Sequence, residues 1–234
     1  MESPPSSRSR SPGPESVPGA SSGGERPGPF TAAIILAAGA SSRMGTPKGL
    51  LSAGNRPVLC SMVERLTRAG AWPRVVVIGA SAEEYLRRVP ASGFRYAVHG
   101  DWERGRTGSV QAGLHALSPL PPTVLLWPVD HPFVSASTIV TLVERSRSGK
   151  GSWYVPRCAG KRGHPLVLKG NALETVRSYG TDVPLHQYPR EHPEEVVEIE
   201  VTDSAVLDNV DTPEEFQTGL RAHQEVVGGW TDAF

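Results

Sequence analysis

A loop rich in glycine, serine and basic residues, LAAGASSRMGTPK, follows the first apolar run of the chain. Gly39 leaves room for a ligand to approach the backbone closely, and Gly45 permits a turn that larger residues resist. Arg43 and Lys48 add two permanent positive charges within six positions. These features predict a polyphosphate-binding loop, although it matches neither the Walker loop nor the GxGxxG fingerprint. A glycine-rich turn with solvated charges is the alternative.

Acidic residues stand at two other points where an ordered segment begins or ends. Asp130 directly follows the apolar run LLWPV, and a buried carboxylate needs a partner. Mg²⁺ suits this position because it is commonly held by one or two carboxylates together with substrate phosphates. Capping of the next helix is the alternative role for Asp130. Asp208 and Asp211 precede a helix that starts with proline, where capping by Asp211 or Thr212 is the ordinary explanation.

Two further motifs carry polar side chains with less distinctive chemistry. In GDWERGRTGSVQAGL, Thr107 and Ser109 are typical of residues that cap a helix at a loop-to-helix junction. In RGHPLVL, His164 is an isolated histidine, for which a structural role is the usual one. A surface position, or a supporting role behind the ligands, is the corresponding expectation for His131.

The elements that must position these residues alternate between short β-rich runs and longer amphipathic ones. The predicted strands are FTAAIILA, RVVVIGA, FRYAVHG and TVLLWPVD. The predicted helices are RPVLCSMVERLTRAG, SAEEYLRRV opened by Ser81, TGSVQAGLHAL, and SASTIVTLVERSRS capped near Ser135. This order predicts an α/β fold with a largely parallel sheet, helices on both faces, and ligands at the carboxyl ends of the strands.

The second part of the chain, after Lys150, is less regular. SWYVPRC and HPLVLKG predict a strand pair around the loop AGKRG, and NALETVRSYG predicts a helix. EEVVEIEV predicts another strand, and a last helix is expected to begin at Pro213.

Composition limits the domain organisation and the classes of partner. The first 29 of the 234 residues include 20 Pro, Ser or Gly, so 1–29 is predicted to be a disordered tail, 30–226 a single domain and 227–234 a C-terminal tail. Lys and Arg balance Asp and Glu at 24 each, which argues against nucleic acid or membrane as a partner. Cys60 and Cys158 match no metal spacing, and no secretory signal or membrane span is visible, so a cytoplasmic location is expected.

The loop LAAGASSRMGTPKGLL resembles the signature loop of the MobA-like nucleotidyltransferases, in particular the branch of the molybdenum cofactor cytidylyltransferases. The resemblance covers roughly residues 32–216 and implies a three-layer α/β/α, Rossmann-like domain with a mostly parallel, mixed sheet. It also implies that the loop wraps a nucleoside triphosphate and that Arg43 and Lys48 are catalytic residues that neutralise phosphate charge. The residues expected on this basis to bind the nucleotide are Leu36, Ala37, Ala38, Gly39, Ser42, Arg43, Gly45, Lys48, Gly100 and Ser109.

The same resemblance extends to the metal and to the acceptor. Asp130 matches the Asp-x-Pro signature of the family and Asp211 its closing DxDTPED pattern, which implies a catalytic Mg²⁺ on these two carboxylates. Asn209 stands where relatives often carry another Asp. The Gly-His-Pro motif implies that Gly163, His164 and Pro165 bind the acceptor. The following GTDVPL departs from the GDxGxR stretch of close relatives.

The resemblance implies transfer of CMP from CTP to a phosphorylated acceptor, molybdopterin or the molybdenum cofactor being favoured, with release of pyrophosphate. A molybdoenzyme or a chaperone is the protein partner that it suggests, and no stretch indicates an oligomeric state. Three alternatives remain open at this point. They are a different acceptor such as methylerythritol phosphate or a sugar phosphate, guanylyl transfer to the same cofactor, and a noncatalytic nucleotide-binding protein of the same fold.

Overall fold

A computed structural model of the chain describes residues 30–223. The predicted tails, 1–29 and 227–234, lie outside the described residues, as do the last three residues of the predicted domain. Among the helices within 30–223, none combines the length and the apolar composition needed to cross a membrane.

The described residues form ten strands, seven helices and five short 3-10 turns. The strands are β1 (Thr31–Ala37), β2 (Ser52–Ala53), β3 (Arg56–Pro57), β4 (Arg74–Ile78), β5 (Arg95–Val98), β6 (Thr123–Pro128), β7 (Trp153–Cys158), β8 (Lys161–Arg162), β9 (Leu166–Lys169) and β10 (Val196–Glu200). The helices are α1 (Val58–Arg68), α2 (Ala82–Arg88), α3 (Arg106–Ala116), α4 (Ala136–Ser148), α5 (Asn171–Ser178), α6 (Tyr188–Glu191) and α7 (Pro213–Ala222). The 3-10 turns are Lys48–Leu50, Trp102–Arg104, Leu185–Gln187, Pro193–Glu195 and Ser204–Val206.

One mixed sheet organises the fold, in the strand order β10-β7-β9-β6-β1-β4-β5, with β8 paired to β7. The pairs β1–β4, β1–β6, β4–β5 and β7–β10 are parallel, whereas β9 runs antiparallel to both β6 and β7. The predicted largely parallel, mixed sheet is therefore confirmed. Parallel pairing places the carboxyl ends of β1, β4 and β6 at one edge, where a ligand is expected.

The sheet is covered on both faces, which explains why its central strands read as continuous apolar runs. Along β1, Ala33 and Ile35 pack into a core shared with α1, α2, α4 and α7, while Ala32 and Ile34 pack into a second core with α3, α5 and α6. Successive side chains of a strand point to opposite faces, so one strand contributes to both cores. The predicted three-layer α/β/α architecture is confirmed.

Helix starts follow the predicted capping chemistry at two positions and depart from it at others. Ser135 accepts a hydrogen bond from the backbone of Thr138 and caps α4, so the alternative of Asp130 as its cap is wrong. Ser81 precedes α2 without a side-chain capping bond. Helix α3 begins at Arg106, so Thr107 and Ser109 lie inside the helix and neither of them caps it.

Short elements after β1 and after α5 were not predicted from the sequence. The strands β2 and β3 pair as a small antiparallel hairpin between the glycine-rich loop and α1. The segment between α5 and β10 contains two 3-10 turns and, between them, the single-turn helix α6. Elements this short carry too few residues for a periodic pattern.

Candidate functional site

A cleft of about 470 Å³ lies at the carboxyl ends of β1 and β6. Two backbone hydrogen bonds bring its walls together. The amide of Val129 donates to the carbonyl of Leu36 at 3.0 Å, and the amide of Val210 donates to the carbonyl of Asp130 at 2.8 Å. The second bond places Asp211, the residue after Val210, beside the end of β6 although 81 positions separate the two acids.

Most of the predicted nucleotide and metal residues line this cleft. From the first strand and its loop come Leu36, Ala38, Gly39, Ser42, Arg43 and Lys48. Ser109, Asp130 and Asp211 line it from other parts of the chain. Three predicted residues do not line it: Ala37 is buried in the core with 3% exposure, and Gly45 and Gly100 lie in neighbouring turns.

The glycine-rich loop owes its shape to a few local features. Gly45 has a φ of +69°, a left-handed conformation that glycine adopts without strain. A Cβ built on Gly39 would meet nothing within 4 Å, so the backbone there is open to a ligand. The hydroxyl of Ser41 accepts a hydrogen bond from the amide of Lys48 at 3.3 Å, and Met44 is buried as an apolar anchor.

Asp211 forms an ion cluster with both predicted phosphate-binding cations. Its Oδ1 lies 2.6 Å from Nζ of Lys48, and its Oδ2 lies 2.9 Å from a terminal nitrogen of Arg43. The side-chain amide of Asn209 also donates to Oδ2, at 3.0 Å. The hydrogen bond from Lys48 is the main reason why the pKa of Asp211 lies below its ordinary value. The structure therefore brings Arg43, Lys48 and Asp211 together.

The backbone of Asp211 is fixed by the start of α7. Thr212 caps this helix, accepting from the amide of Glu215 at 3.2 Å. The Glu215 carboxylate in turn accepts from the amides of Asp211 at 2.7 Å and Thr212 at 3.0 Å. Of the two residues predicted as possible caps, Thr212 is the cap of α7. The side chain of Asp211 faces the cleft instead.

Asp130 has an oxygen for which the described residues provide no hydrogen bond. Its Oδ1 is buried, and Nε2 of His131 lies 3.9 Å away, beyond hydrogen-bond distance. A buried carboxylate oxygen without a partner is costly, and a hard divalent cation would satisfy it. Asp130 and Asp211 together offer the oxygen donors that such a cation takes, so these residues fit a metal site.

The segment before α3, together with the first residue of that helix, contributes cleft residues that were not predicted from the sequence. They are Trp102, Glu103, Gly105 and Arg106. All four belong to the motif GDWERGRTGS, whose mixture of aromatic, acidic and basic side chains is unusual for a plain loop-to-helix junction. That mixture of side chains was the feature of the sequence that could have indicated a binding segment. It was not sufficient, because the sequence does not show whether side chains at a turn face solvent or a cleft.

A second cavity, of about 540 Å³, adjoins the first and shares Leu36, Gly105, Arg106 and Pro128 with it. Its wall is largely apolar and includes Leu126, Trp153, Val155, Leu166 and Leu185. Gly163 and His164 line it, whereas Pro165 is buried and does not.

Gly163 and His164 are held in place by their backbone. The amide of Gly163 donates to the carbonyl of Pro156 and the amide of His164 to that of Val206, both at 2.9 Å. The carbonyl of Val206 approaches Gly163 so closely that a Cβ there would clash with it, which explains the glycine.

The two histidines predicted near the site lie against each other. The ring centroids of His131 and His164 are 4.8 Å apart, and His131 is only 8% exposed, so the expected surface position for His131 is wrong. Burial is the main cause that lowers the pKa of both, and for His164 it falls to about 3. The charge of Arg106 lowers both pKa values further. Both imidazoles are therefore neutral near pH 7.

The GTDVPL stretch, which departs from the family pattern, forms part of the wall of the second cavity. Thr107 Oγ1 donates to the carbonyl of Val183 at 2.5 Å, and the side-chain amide of Gln111 donates to the carbonyl of Tyr179 at 2.7 Å. Both donors belong to α3, which also carries Ser109. The two cavities thus share a helix as well as four lining residues.

Comparison with known proteins identifies the family. Residues 33–196 match the MobA-like NTP transferase domain. The chain belongs to the MobA-like NTP transferase family. The expected resemblance is therefore confirmed, and this membership makes the protein a nucleotidyltransferase enzyme.

Two relatives of this MobA-like NTP transferase share most of its length. It is 30% identical over 195 residues to nicotine blue oxidoreductase from Paenarthrobacter nicotinovorans, a match that covers 80% of this chain and 95% of the relative. It is 32% identical over 204 residues to molybdenum cofactor guanylyltransferase from Rhizobium meliloti, which covers 80% and 89% of the two chains.

Solved structures of similar fold include nucleotidyl transferases. Rv0371c from Mycobacterium tuberculosis superposes with a TM-score of 0.73 at 24% identity, covering 82% of this chain and 97% of that one. A manganese complex of the same protein gives 0.70 at 21% identity, covering 82% and 99%. A nucleotidyl transferase from Methanothermobacter gives 0.71 at 21% identity, covering 86% and 100%. These likenesses establish the fold.

Proposed function

We propose that this MobA-like nucleotidyltransferase transfers CMP from CTP to a phosphorylated acceptor, molybdopterin or the molybdenum cofactor, and releases pyrophosphate. The observation that carries the proposal is the meeting of Arg43, Lys48, Asp130 and Asp211 at one end of a cleft that opens into a second, largely apolar cavity. One cavity takes the nucleotide and the other takes the acceptor.

The nucleotide lies along the loop after β1, with its triphosphate on Arg43 and Lys48. Both cations are paired with Asp211 in the structure, at 2.9 Å for Arg43 and 2.6 Å for Lys48. Gly39, Ser42 and the neighbouring Leu36 and Ala38 provide the rest of the loop contacts. Ala37 is buried behind this surface, Gly45 and Gly100 lie in neighbouring turns, and Ser109 binds the base from α3.

Mg²⁺ is the proposed cofactor, held by Asp130 and Asp211. The unpartnered Oδ1 of Asp130 supports this assignment, because the described protein groups leave it unsatisfied. When bound, the ion neutralises charge on the phosphoryl oxygens. Asp211 becomes available to it when Lys48 and Arg43 move from the carboxylate to the phosphates.

The reaction needs positioning more than proton transfer. An ionised phosphate oxygen of the acceptor attacks the α-phosphorus, the new O–P bond forms, and the bond to the β-phosphate breaks as pyrophosphate leaves. Because the nucleophile is already anionic near neutral pH, a general base is not required. Arg43 and Lys48 stabilise the charge that accumulates on the leaving pyrophosphate.

The acceptor occupies the second cavity, with Gly163 and His164 on its wall and Pro165 shaping the turn behind them. The wall residues Trp153 and Leu185 suit a flat ring system such as a pterin. The relative named molybdenum cofactor guanylyltransferase supports the same acceptor. A molybdoenzyme or a chaperone is the proposed recipient of the product.

Cytosine is the proposed base, because the loop reads Leu-Ala-Ala-Gly where guanylyl transferases of this family usually read Leu-Ala-Gly-Gly. Guanylyl transfer, and transfer to a sugar phosphate or another phosphorylated metabolite, are the alternatives within the same chemistry. The likeness to nicotine blue oxidoreductase makes an oxidoreductase reaction the second candidate function.

The test is pyrophosphate release with Mg²⁺ and each of CTP, GTP, ATP and UTP, with and without molybdopterin or its molybdenum form. Release that requires both CTP and the pterin supports the proposal. Release with GTP but not with CTP would show that the base is guanine rather than cytosine. Release without the pterin would show that the acceptor is another compound. Oxidation of NADH or NADPH added to the same mixtures, with no pyrophosphate formed, would favour the second candidate.

A further inference from the structure

Arg106 lies where the two cavities meet. It is the first residue of α3, directly after Gly105, whose φ of +118° turns the chain into the helix. Of the four residues that line both cavities, Leu36 and Pro128 are apolar and Gly105 has no side chain. Arg106 is therefore the one charged residue, within the described range, that faces both.

The guanidinium of Arg106 also has no bonding partner among the described residues. Arg43 and Lys48 both pair with Asp211, whereas the side chain of Arg106 forms no hydrogen bond or ion pair with any other residue between 30 and 223. An exposed cation without a carboxylate beside it is free to bind an anion that enters either cavity.

Arg106 lines the first cavity together with Asp130 and the second cavity together with His164. The other two cations that line the first cavity, Arg43 and Lys48, are both paired with Asp211. The junction between the cavities thus has one available positive charge.

We propose that Arg106 is a further catalytic residue, which binds the phosphate of the acceptor and orients its oxygen toward the α-phosphorus. This inference rests on the proposed nucleotidyl transfer, in which the acceptor phosphate and the α-phosphate must meet between the two cavities. The new bond joins the acceptor oxygen to the α-phosphorus and the bond to pyrophosphate breaks, so two phosphates are adjacent at this point. A guanidinium binds two phosphate oxygens at once through its planar pair of N–H donors, and a lysine does not.

The kinetic test compares Arg106→Gln and Arg106→Lys with wild type. Loss of the charge is expected to reduce kcat by roughly 10²-fold. Lysine is expected to recover part of this loss because it keeps the charge but lacks the paired donors. Arg87→Gln is the matched control: Arg87 is exposed on α2, forms no ion pair within residues 30–223 and lines neither cavity, so kcat should stay at the wild-type value. Turnover of Arg106→Gln within twofold of wild type would overturn the inference.

A binding measurement separates this inference from the proposed acceptor. Calorimetry compares CMP, which has one phosphate, with CDP-ethanolamine, whose second phosphate extends toward the acceptor side. Arg106→Gln is expected to weaken the binding of CDP-ethanolamine roughly 10-fold more than it weakens the binding of CMP. If wild type transfers no nucleotide but shows this difference, the acceptor is wrong and the role of Arg106 stands. Equal weakening of both probes, or no binding of either to wild type, would overturn the role of Arg106.

Discussion

Replacing Asp211 by asparagine should change nucleotide binding and catalysis in opposite directions. In the structure Asp211 pairs with Lys48 and Arg43, the two cations proposed for the triphosphate. A nucleotide that binds without metal must draw these cations away from the carboxylate. Asp211→Asn removes that competition, so metal-free CTP is expected to bind more tightly, while transfer falls because a proposed metal ligand is lost.

The size of the effect follows from the geometry of the two pairs. At 2.6 Å, the Coulomb attraction between Lys48 and Asp211 is about 6 kcal/mol for an effective dielectric constant of ~20. Desolvation and the loss of hydrogen bonds to water reduce the net value of such a charged hydrogen bond to about 1.5–3 kcal/mol. The Arg43 pair adds little because that side chain is 68% exposed. Since ~1.4 kcal/mol corresponds to a factor of ten, CTP should bind roughly 10-fold more tightly or better.

Equilibrium dialysis of CTP in the presence of EDTA measures this binding, and pyrophosphate release with Mg²⁺ measures the transfer. Asp208→Asn is the matched control, because it removes the same charge from the same segment while Asp208 pairs with His223 rather than with the two cations. Its CTP affinity should stay near that of wild type. Weaker metal-free binding of CTP by Asp211→Asn, or equal tightening in both variants, would refute the reasoning.

Three further predictions concern the metal ligand, the helix cap and the buried histidine. Asp130→Ala should reduce pyrophosphate release by roughly 10²-fold or more with an unchanged circular dichroism spectrum, and full activity would remove Asp130 from the metal site. Thr212→Ala should lower the free energy of unfolding by about 1 kcal/mol in urea titrations, since it removes the cap of α7; no change would show that the cap contributes nothing. Because burial lowers the pKa of His164 to about 3, the unfolded state takes up a proton first as the pH falls from 6.5. The free energy of unfolding should therefore decrease between these values, by at most ~1.4 kcal/mol per pH unit, and His164→Gln should flatten this slope; an equally steep slope in the variant would assign the pH dependence elsewhere.

The sequence predicted the sheet well because its central strands consist almost entirely of apolar residues. Runs such as AAII in β1 and VVVI in β4 are fully buried, as expected for central strands of a sheet that is covered on both faces. The short hairpin of β2 and β3 and the turn at α6 give no comparable pattern. Their conformation depends on the neighbours that they meet in the fold.

The sequence predicted individual candidate residues but not the contacts between them. Arg43, Lys48 and Asp211 were each predicted as site residues, whereas their mutual pairing was not, because Asp211 is distant in sequence and reaches the cleft only through the bond from Val210 to Asp130. Arg106, for which we propose a role in binding the acceptor phosphate, was not predicted for a related reason. A basic residue at the start of a helix is commonly solvated, and only the position of the two cavities shows what it faces.

The most direct test of the central claim is a mass spectrum of the pterin after incubation of the protein with CTP, Mg²⁺ and molybdopterin. The account predicts a new species heavier than the pterin by one cytidine monophosphate, formed in step with one pyrophosphate. An unmodified pterin, under conditions in which the protein binds CTP, would contradict it.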